Sequence, residues 1–476
     1  MLTLSALTAH LPPPPDEAAL LPRIQQALAE SRRHLVVIDD DPTGTQTVHD
    51  VELLLTWDEA TLTEAFTREK RLFYLLTNAR SMPEPDAVVL NERTARQLLV
   101  AAQQAQTDFV LASRSDSTLR GHYPAEIFAL ERGLGRTWDG HLIVPAFFEG
   151  GRYTINDTHY VATPTATSDT LVPAHETPYA QDSAFSYTTA YLPAWIEEKS
   201  QGYWHAEQIV SLDLALIRNG GPEAVAQRLK TVTGGVPVVV NAVSYSDLAV
   251  VVLGLLYAEA EGKRFGYRTA ASFVRLRGGI TPRSLLSALE IIGTQPVNNG
   301  GLVIVGSYVP GSTQQLTNLL TLPNVVGVEL PVASIIESET AAHTASTGVA
   351  QHIDTVLKQG RTGVIFTSRD VVHGINSSNF LAIGRRISQA LIETLHALNT
   401  QPRFIIAKGG ITSHDIAQHG LGAKRARVQG QISAGVPVWR LEQDTQTRFA
   451  GIPYIVFPGN VGGPDSLKEA VHMLNR

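Results

Sequence analysis

The chain reads as an α/β protein of two α/β domains, each with a mostly parallel sheet flanked by helices, and with a cleft between them. Three observations predict this. Short, wholly apolar runs such as HLVVIDD, RLFYLLTN and GLVIVGS recur along the 476 residues. Helix-like stretches separate them, the alternation expected of a parallel sheet covered on both faces. Polar or glycine-rich turns follow the apolar runs, at the strand ends where open α/β sheets place their ligands.

In chain order, residues 12–15 are four prolines, a stiff arm. The residues before them lack the basic start and apolar core of a signal peptide. A helix is expected over residues 17–33. Strands follow in HLVVIDD, RLFYLLTN, DFVLASRS and GHLIVPAF, with helices over residues 85–106 and 124–133. From about residue 156 to 186 the pattern loosens into Thr, Pro, Asp and Tyr, a long functional loop or an inserted excursion. EQIVSLD and GVPVVVN resume the alternation, and a helix is expected over residues 246–261. TPRSLLSALEIIG, residues 281–293, reads as helix, and TQPVNNGG as a linker. The domains are therefore drawn as residues 1–33 (arm and helix), 34–275 and 300–476. In the last, GLVIVGS, VVGVELP, GVIFTS, RFIIAKGG, VPVWRLE and IPYIVFPGN are strands. STQQLTNLLTL and residues 348–358 and 380–398 are helices.

Composition narrows the function. Net charge is −7 and no Lys/Arg-rich run occurs, which argues against a nucleic-acid partner. The absence of cysteine excludes disulfides, thiolate metal sites and cysteine nucleophiles, and suits a reducing cytoplasm. No apolar run reaches the roughly 18 residues of a membrane span. His122, His159, His205 and His414 follow no metal-ligand spacing such as HExxH, and each reads as a surface or satisfied histidine.

Three polar clusters follow strands of the first domain. Asp39, Asp40 and Asp41 are consecutive carboxylates at a strand end, and their repulsion needs Mg²⁺, a hydroxyl-rich ligand or helix N–H groups to offset it. The second cluster is Thr77-Asn78-Ala79-Arg80, and the third runs from Ser113 through Arg114, Ser115, Asp116 and Ser117 to His122. Arginine grips carboxylates in bidentate fashion, while Asp, Ser and Thr hydrogen-bond sugar hydroxyls. In a parallel sheet Asp40, Arg80, Arg114 and Asp116 meet at one edge. A fourth segment containing Arg152 borders that edge. This describes a pocket for a small hydroxylated anion.

The second domain repeats one design three times: apolar strand, Gly/Ser-rich turn, helix. The segments are LVIVGSYVPGSTQQL, FIIAKGGITSHDIAQ and YIVFPGNVGGPDSLKEA. Helix N-termini at such turns attract phosphate, and glycine lets the backbone come close. The first turn has the spacing of a Walker A loop from Gly306 to Gly311, with Ser312 where that motif requires lysine. Lys408 is the candidate to replace that charge, with loop packing as its competing role.

These residues resemble the four-carbon acid sugar kinase family over about residues 34–474. The likeness rests on DDPTG (40–44), TNAR (77–80), RSDSTLRG (114–121), PAFFEGGRYT (145–154), GSYVPGSTQQ (306–315), KGGITS (408–413) and PGNVGGPD (458–465). The resemblance implies ATP-dependent phosphorylation of a tetronic acid such as threonate, erythronate or an oxo form, with Mg²⁺ and ATP as cofactors. It places acid contacts on Asp40, Arg80 and the run from Arg114 to Ser117. It places ATP contacts on Ser307, the Gly409-Gly410-Ile411-Thr412 turn and Gly459, and Gly306 and Asn460 beside them are further candidate ATP contacts. Asp40 or Asp116 is then the base, with Arg80 and Arg114 on the substrate carboxylate and Arg152 nearby. The chain departs from the family at Thr45-Gln46-Thr47, where Ala-Asn-Asp is usual, at Arg114 for lysine, and at Ile411 for aspartate. A non-catalytic nucleotide and sugar-acid sensor, or a kinase for another hydroxy acid, is the alternative. The acid, the phosphorylated hydroxyl, the metal ligands and a homodimer are left open.

Overall fold

The computed structural model describes residues 2–164, 169–293, 298–306, 310–368, 377–442, 447–459 and 461–476. Its strands are β1 (His34–Asp39), β2 (Val51–Leu54), β3 (Leu72–Leu76), β4 (Phe109–Arg114), β5 (Gly140–Val144) and β6 (Arg152–Ile155). They continue with β7 (Thr158–Pro164), β8 (Asp169–Pro173), β9 (Val210–Leu212), β10 (Val236–Val240), β11 (Phe265–Thr269) and β12 (Leu302–Val305). The last are β13 (Val325–Leu330), β14 (Thr362–Thr367), β15 (Ile405–Lys408), β16 (Arg425–Ser433), β17 (Val436–Leu441) and β18 (Pro453–Phe457). Two compact units result: Met1–Val48 with Trp57–Pro282, and His49–Thr56 with Arg283–Arg476. Among the described residues no helix is long and apolar enough to cross a membrane.

In the first unit the strands lie in the order β3-β1-β4-β11-β5-β10-β9, all parallel. β1, β3, β5 and β11 are buried at every residue, which is why they read as unbroken apolar runs. The helix Tyr245–Ala260 is buried almost all round, so its sequence shows little amphipathic stripe. Ser244 caps it by accepting from the Asp247 N–H. From β1 the chain goes to β3 on one side and returns to β4 on the other. The strand order therefore reverses at β1, the switch point where such sheets bind ligands. The segment read as a loop or excursion forms a separate three-stranded antiparallel sheet, β6-β7-β8.

The second unit orders its strands β13-β14-β12-β15-β18-β17-β16-β2. β13 to β18 are parallel, whereas β17, β16 and β2 are antiparallel. β2 comes from the stretch of sequence drawn above as residues 34–275, and it corrects that boundary. Its register with β16 runs from Val51↔Val428 to Leu54↔Arg425. Val51, Leu53 and Leu54 are buried there, and the pairing satisfies backbone groups that an open edge would leave exposed. The core joins Val303, Val305, Phe404, Ile406 and Phe457 of the sheet to Leu316, Leu319, Leu467 and Val471 of its helices.

The helix expected over residues 281–293 shrinks to Ala288–Ile292, with a Ser287/Glu290 capping box. Residues 281–287 run without regular structure. The cause is tertiary: the Leu286 N–H donates to the Gln431 carbonyl at 2.8 Å, and Arg283 Nη1 donates to the Gln429 carbonyl at 2.8 Å. β16 claims groups that a helix would have used internally.

Candidate active site

In the first unit, the ends of β1, β3 and β4 bring the three polar clusters together. The Thr77 N–H and hydroxyl both donate to the Asp39 carbonyl at 2.9 Å. The Arg80 N–H reaches the Asp40 carbonyl, and the Asp40 N–H reaches the Arg114 carbonyl, both at 3.2 Å. Backbone bonds thus place the side chains before any charge interacts. Leu119, in the turn after β4, is fully buried with φ of 71°, a conformation that a bulky residue adopts only when its surroundings impose it. The surroundings are visible. His159 Nε2 lies 2.7 Å from the Ser117 carbonyl, and the Tyr187 hydroxyl donates to the Thr118 carbonyl at 2.8 Å. Burial lowers the His159 pKa to about 4, so the ring is neutral and its Nε2–H donates.

Asp40 is the hub. It is 5% exposed and accepts from Arg80 Nε at 3.1 Å, from Arg80 Nη2, and from the Ser115 hydroxyl at 2.8 Å. Arg80 also faces Asp41 at 3.5 Å and Asp116 at 3.6 Å. Arg114 lies 3.5 Å from Asp39 and donates to Gln46 at 3.3 Å. The repulsion among the consecutive carboxylates is therefore offset by the protein's own arginines. This corrects one expectation: Arg80 is committed to protein carboxylates, and Arg114 to Asp39 and Gln46, rather than open for a substrate's carboxylate.

Asp116 accepts from Arg120 Nε at 2.8 Å and from Thr118 N–H at 3.2 Å and its hydroxyl. Burial works to raise its pKa, but Arg120 and Arg80 outweigh that and hold it far below the usual carboxylate range. So strongly acidic a carboxylate is a poor base, which corrects its expected catalytic role. Asp41 is likewise held low by Arg80 and Arg114 against the effect of burial.

Asp39 behaves oppositely. Burial pushes its pKa up to about 8, opposed by Arg114 and assisted by Asp40 and Asp41. Its Oδ2 has no hydrogen-bond partner. Folded Asp39 holds a proton that the unfolded chain releases near 3.8, so its contribution to stability falls as pH rises from 3.8 to about 8. Asp39→Asn is expected to flatten that slope in urea-midpoint measurements across the same window. An unchanged slope would contradict the protonated reading.

Of the outer ring of this site, sequence reasoning placed Arg152 and missed Arg120, Tyr179, Asp182 and Arg268. Arg120 also pairs with Asp182 at 3.5 Å, and its guanidinium lies 5.3 Å from the centre of the Tyr179 ring. Arg152 lies 5.7 Å from the same ring and donates to the Tyr179 hydroxyl at 3.2 Å. Arg268, on β11, donates to the Arg120 carbonyl at 3.0 Å and faces Glu126 at 3.3 Å. Arg120 was legible within DSTLRG. Arg268 was not, because its strand, FGYRT, went unassigned. Among the described residues Arg152 makes no ion pair with a carboxylate, and its Nε is buried without a partner. Ser115 serves Asp40, whereas Ser117 contributes its carbonyl to His159. His122 Nε2 lies 3.2 Å from the Ala79 carbonyl.

In the second unit, β12, β15 and β18 are adjacent and parallel, so their glycine turns share one edge. A Cβ on Gly306 would fall 2.3 Å from Thr412 Oγ1, and Gly409 has φ of 115°, so both turns require glycine. Ser312 donates to the Gly459 carbonyl at 3.1 Å. Gly410 opens the helix Gly410–Asp415, and the Ile411 side chain is 60% exposed. Lys408 is wholly buried and donates to the carbonyls of Pro458 at 2.6 Å and Gly459 at 3.1 Å. It braces the turn after β18, which corrects its expected role as a cation open to phosphate. Burial brings its pKa down to about 7. Ser307 and Asn460 lie outside the described residues. Gly306→Ala is expected to cost about 1–3 kcal/mol by overpacking against Thr412 and to weaken ATP binding. Calorimetric titration showing unchanged ATP affinity would disconnect this turn from the nucleotide.

Residues 35–277 match the family model for a sugar-binding N-terminal domain, and residues 302–467 match that for a nucleotide-binding C-terminal domain. No curated protein matches the chain. A Salmonella typhimurium LT2 structure, named as a candidate tRNA synthase, aligns with a TM-score of 0.64 at 17% identity, covering 92% of this chain and 98% of that one. The Haemophilus influenzae protein HI1011, of the family DUF1537, gives 0.58 at 18% identity, covering 92% of this chain and 100% of that one. At these identities the likeness is one of fold.

Proposed function

We propose, because this chain belongs to the four-carbon acid sugar kinase family, that it transfers the γ-phosphoryl group of ATP to a hydroxyl of a small, four-carbon sugar acid. The observation that carries this reading is the placement of Asp40 at the switch point of the sugar-binding unit, held by Arg80 and Ser115. A carboxylate so fixed can orient a substrate hydroxyl and take its proton as phosphoryl transfer proceeds. The partner carboxylate of the acid falls to Arg152. Its hydrogen bond goes to the neutral hydroxyl of Tyr179, so an incoming anion need break no ion pair there. The glycine turns after β12, β15 and β18 then hold the phosphates through backbone N–H groups. ATP's own Mg²⁺ would arrive with those phosphates.

Arg152→Met is expected to raise KM for the acid by about ten- to hundredfold, equivalent to losing one charge-assisted contact of about 1.5–3 kcal/mol, with a smaller change in kcat. An unchanged KM would move the carboxylate grip elsewhere. The reading as a whole is tested by ADP release from Mg·ATP with threonate, erythronate and their oxo forms. Stimulation by at least one acid is expected. Binding of acid and nucleotide without turnover would favour the sensor alternative.

A further inference from the structure

Beyond the glycine turn after β15, the helix Gly410–Asp415 passes directly into a π-helical turn, Ile416–Gly420. A π turn bonds residue i to i+5, one residue wider than an α turn, and such turns concentrate at functional sites. His414, in the last turn of the α-helix, and His419, in the π turn, come to one face, with ring centres 5.9 Å apart. Asp415 joins them, its Oδ1 lying 3.0 Å from His414 Nδ1. One ligand atom from each of the three residues lies within 4.8 Å of the other two.

The surroundings orient this group. The Ser388 hydroxyl, from the helix Ser377–Ala397, donates to Asp415 Oδ2. His396 Nε2 lies 3.1 Å from the His419 carbonyl. The first contact orients the Asp415 carboxylate, and the second holds the backbone that carries His419. His414 is buried, Asp415 half-buried and His419 exposed, so the cluster opens to solvent on one side and leaves positions for water.

We propose that His414, Asp415 and His419 form a binding site for one divalent late transition-metal ion, of the zinc, cobalt or nickel class. Two imidazoles and one carboxylate select such ions, whereas Mg²⁺ prefers oxygen donors throughout. The site is therefore separate from any ion carried by ATP, and it does not rest on the kinase reading. In the metal-free state the His414–Asp415 hydrogen bond holds the ligands together. On binding, the ion takes the place of that hydrogen bond between the two ligand atoms.

The test is calorimetric titration of EDTA-stripped, untagged protein with Zn²⁺, free of nucleotide. Wild-type protein should bind one ion per chain. His419→Ala, at an exposed position, should lose at least about tenfold in affinity, and Ser388→Ala should lose about tenfold through its loosened Asp415. His343→Ala, which removes an exposed histidine from outside the cluster, should bind as wild type does. Absence of stoichiometric binding in the wild type, or equal affinity in His419→Ala, would overturn the proposal.

Discussion

Asp40→Asn is expected to lower kcat by about 10²–10⁴-fold, the usual contribution of a positioned general base, while leaving ATP affinity near wild type. Asparagine keeps the volume and one of the two acceptor oxygens, so Arg80 retains one of its bonds while the charge and basicity are lost. Arg80 reaches Asp40 through two of its nitrogens, and Ser115 fixes the remaining geometry. A residue of merely structural importance would instead show lost stability with kcat and KM shifting together. Folded protein with intact nucleotide binding and near wild-type turnover would remove Asp40 as the base.

Arg80→Met is expected to destabilise the sugar-binding unit by about 3–5 kcal/mol, the range for breaking a buried ion pair from one side. Arg80 is 14% exposed at its side chain and faces Asp40, Asp41 and Asp116. Methionine preserves the packing of the stem but leaves those carboxylates without their shared cation. The loss should depend on pH in a defined direction. Asp41 and Asp116 are held below their ordinary 3.8 in the folded protein. Their contribution is present above that value and disappears as pH falls through the folded pKa values. The deficit of the variant should therefore be largest above about pH 3.8 and shrink in acid. Urea midpoints that differ equally at all pH values would contradict the ionic account.

The central parallel strands were legible because burial on both faces makes each one a continuous apolar word, as in HLVVID and LFYLL. The edge was not. β16, RARVQGQIS, alternates buried with exposed or half-buried positions and carries bulges. Its partner β2 lies more than 370 positions earlier in the chain, and no local pattern announces such a pairing. The same limit applied to charge. Asp40, Arg80, Arg114 and Asp116 were found as residues, yet a sequence shows charges and not which charge meets which. Hence the arginines read as open to a substrate prove to be paired within the protein. Lys408 likewise stood in the right turn, while its direction was set by the carbonyls of Pro458 and Gly459. The π turn that brings His419 beside His414 has no spacing signature, because its wider step belongs to neither of the common helical repeats.

The most direct measurement is phosphorus NMR of wild-type protein incubated with Mg·ATP and each four-carbon acid. A new phosphomonoester resonance, coupled to the carbon skeleton of one acid and growing as ATP is consumed, is the predicted result. Consumption of ATP to inorganic phosphate alone, with no acid acquiring phosphorus, would contradict it.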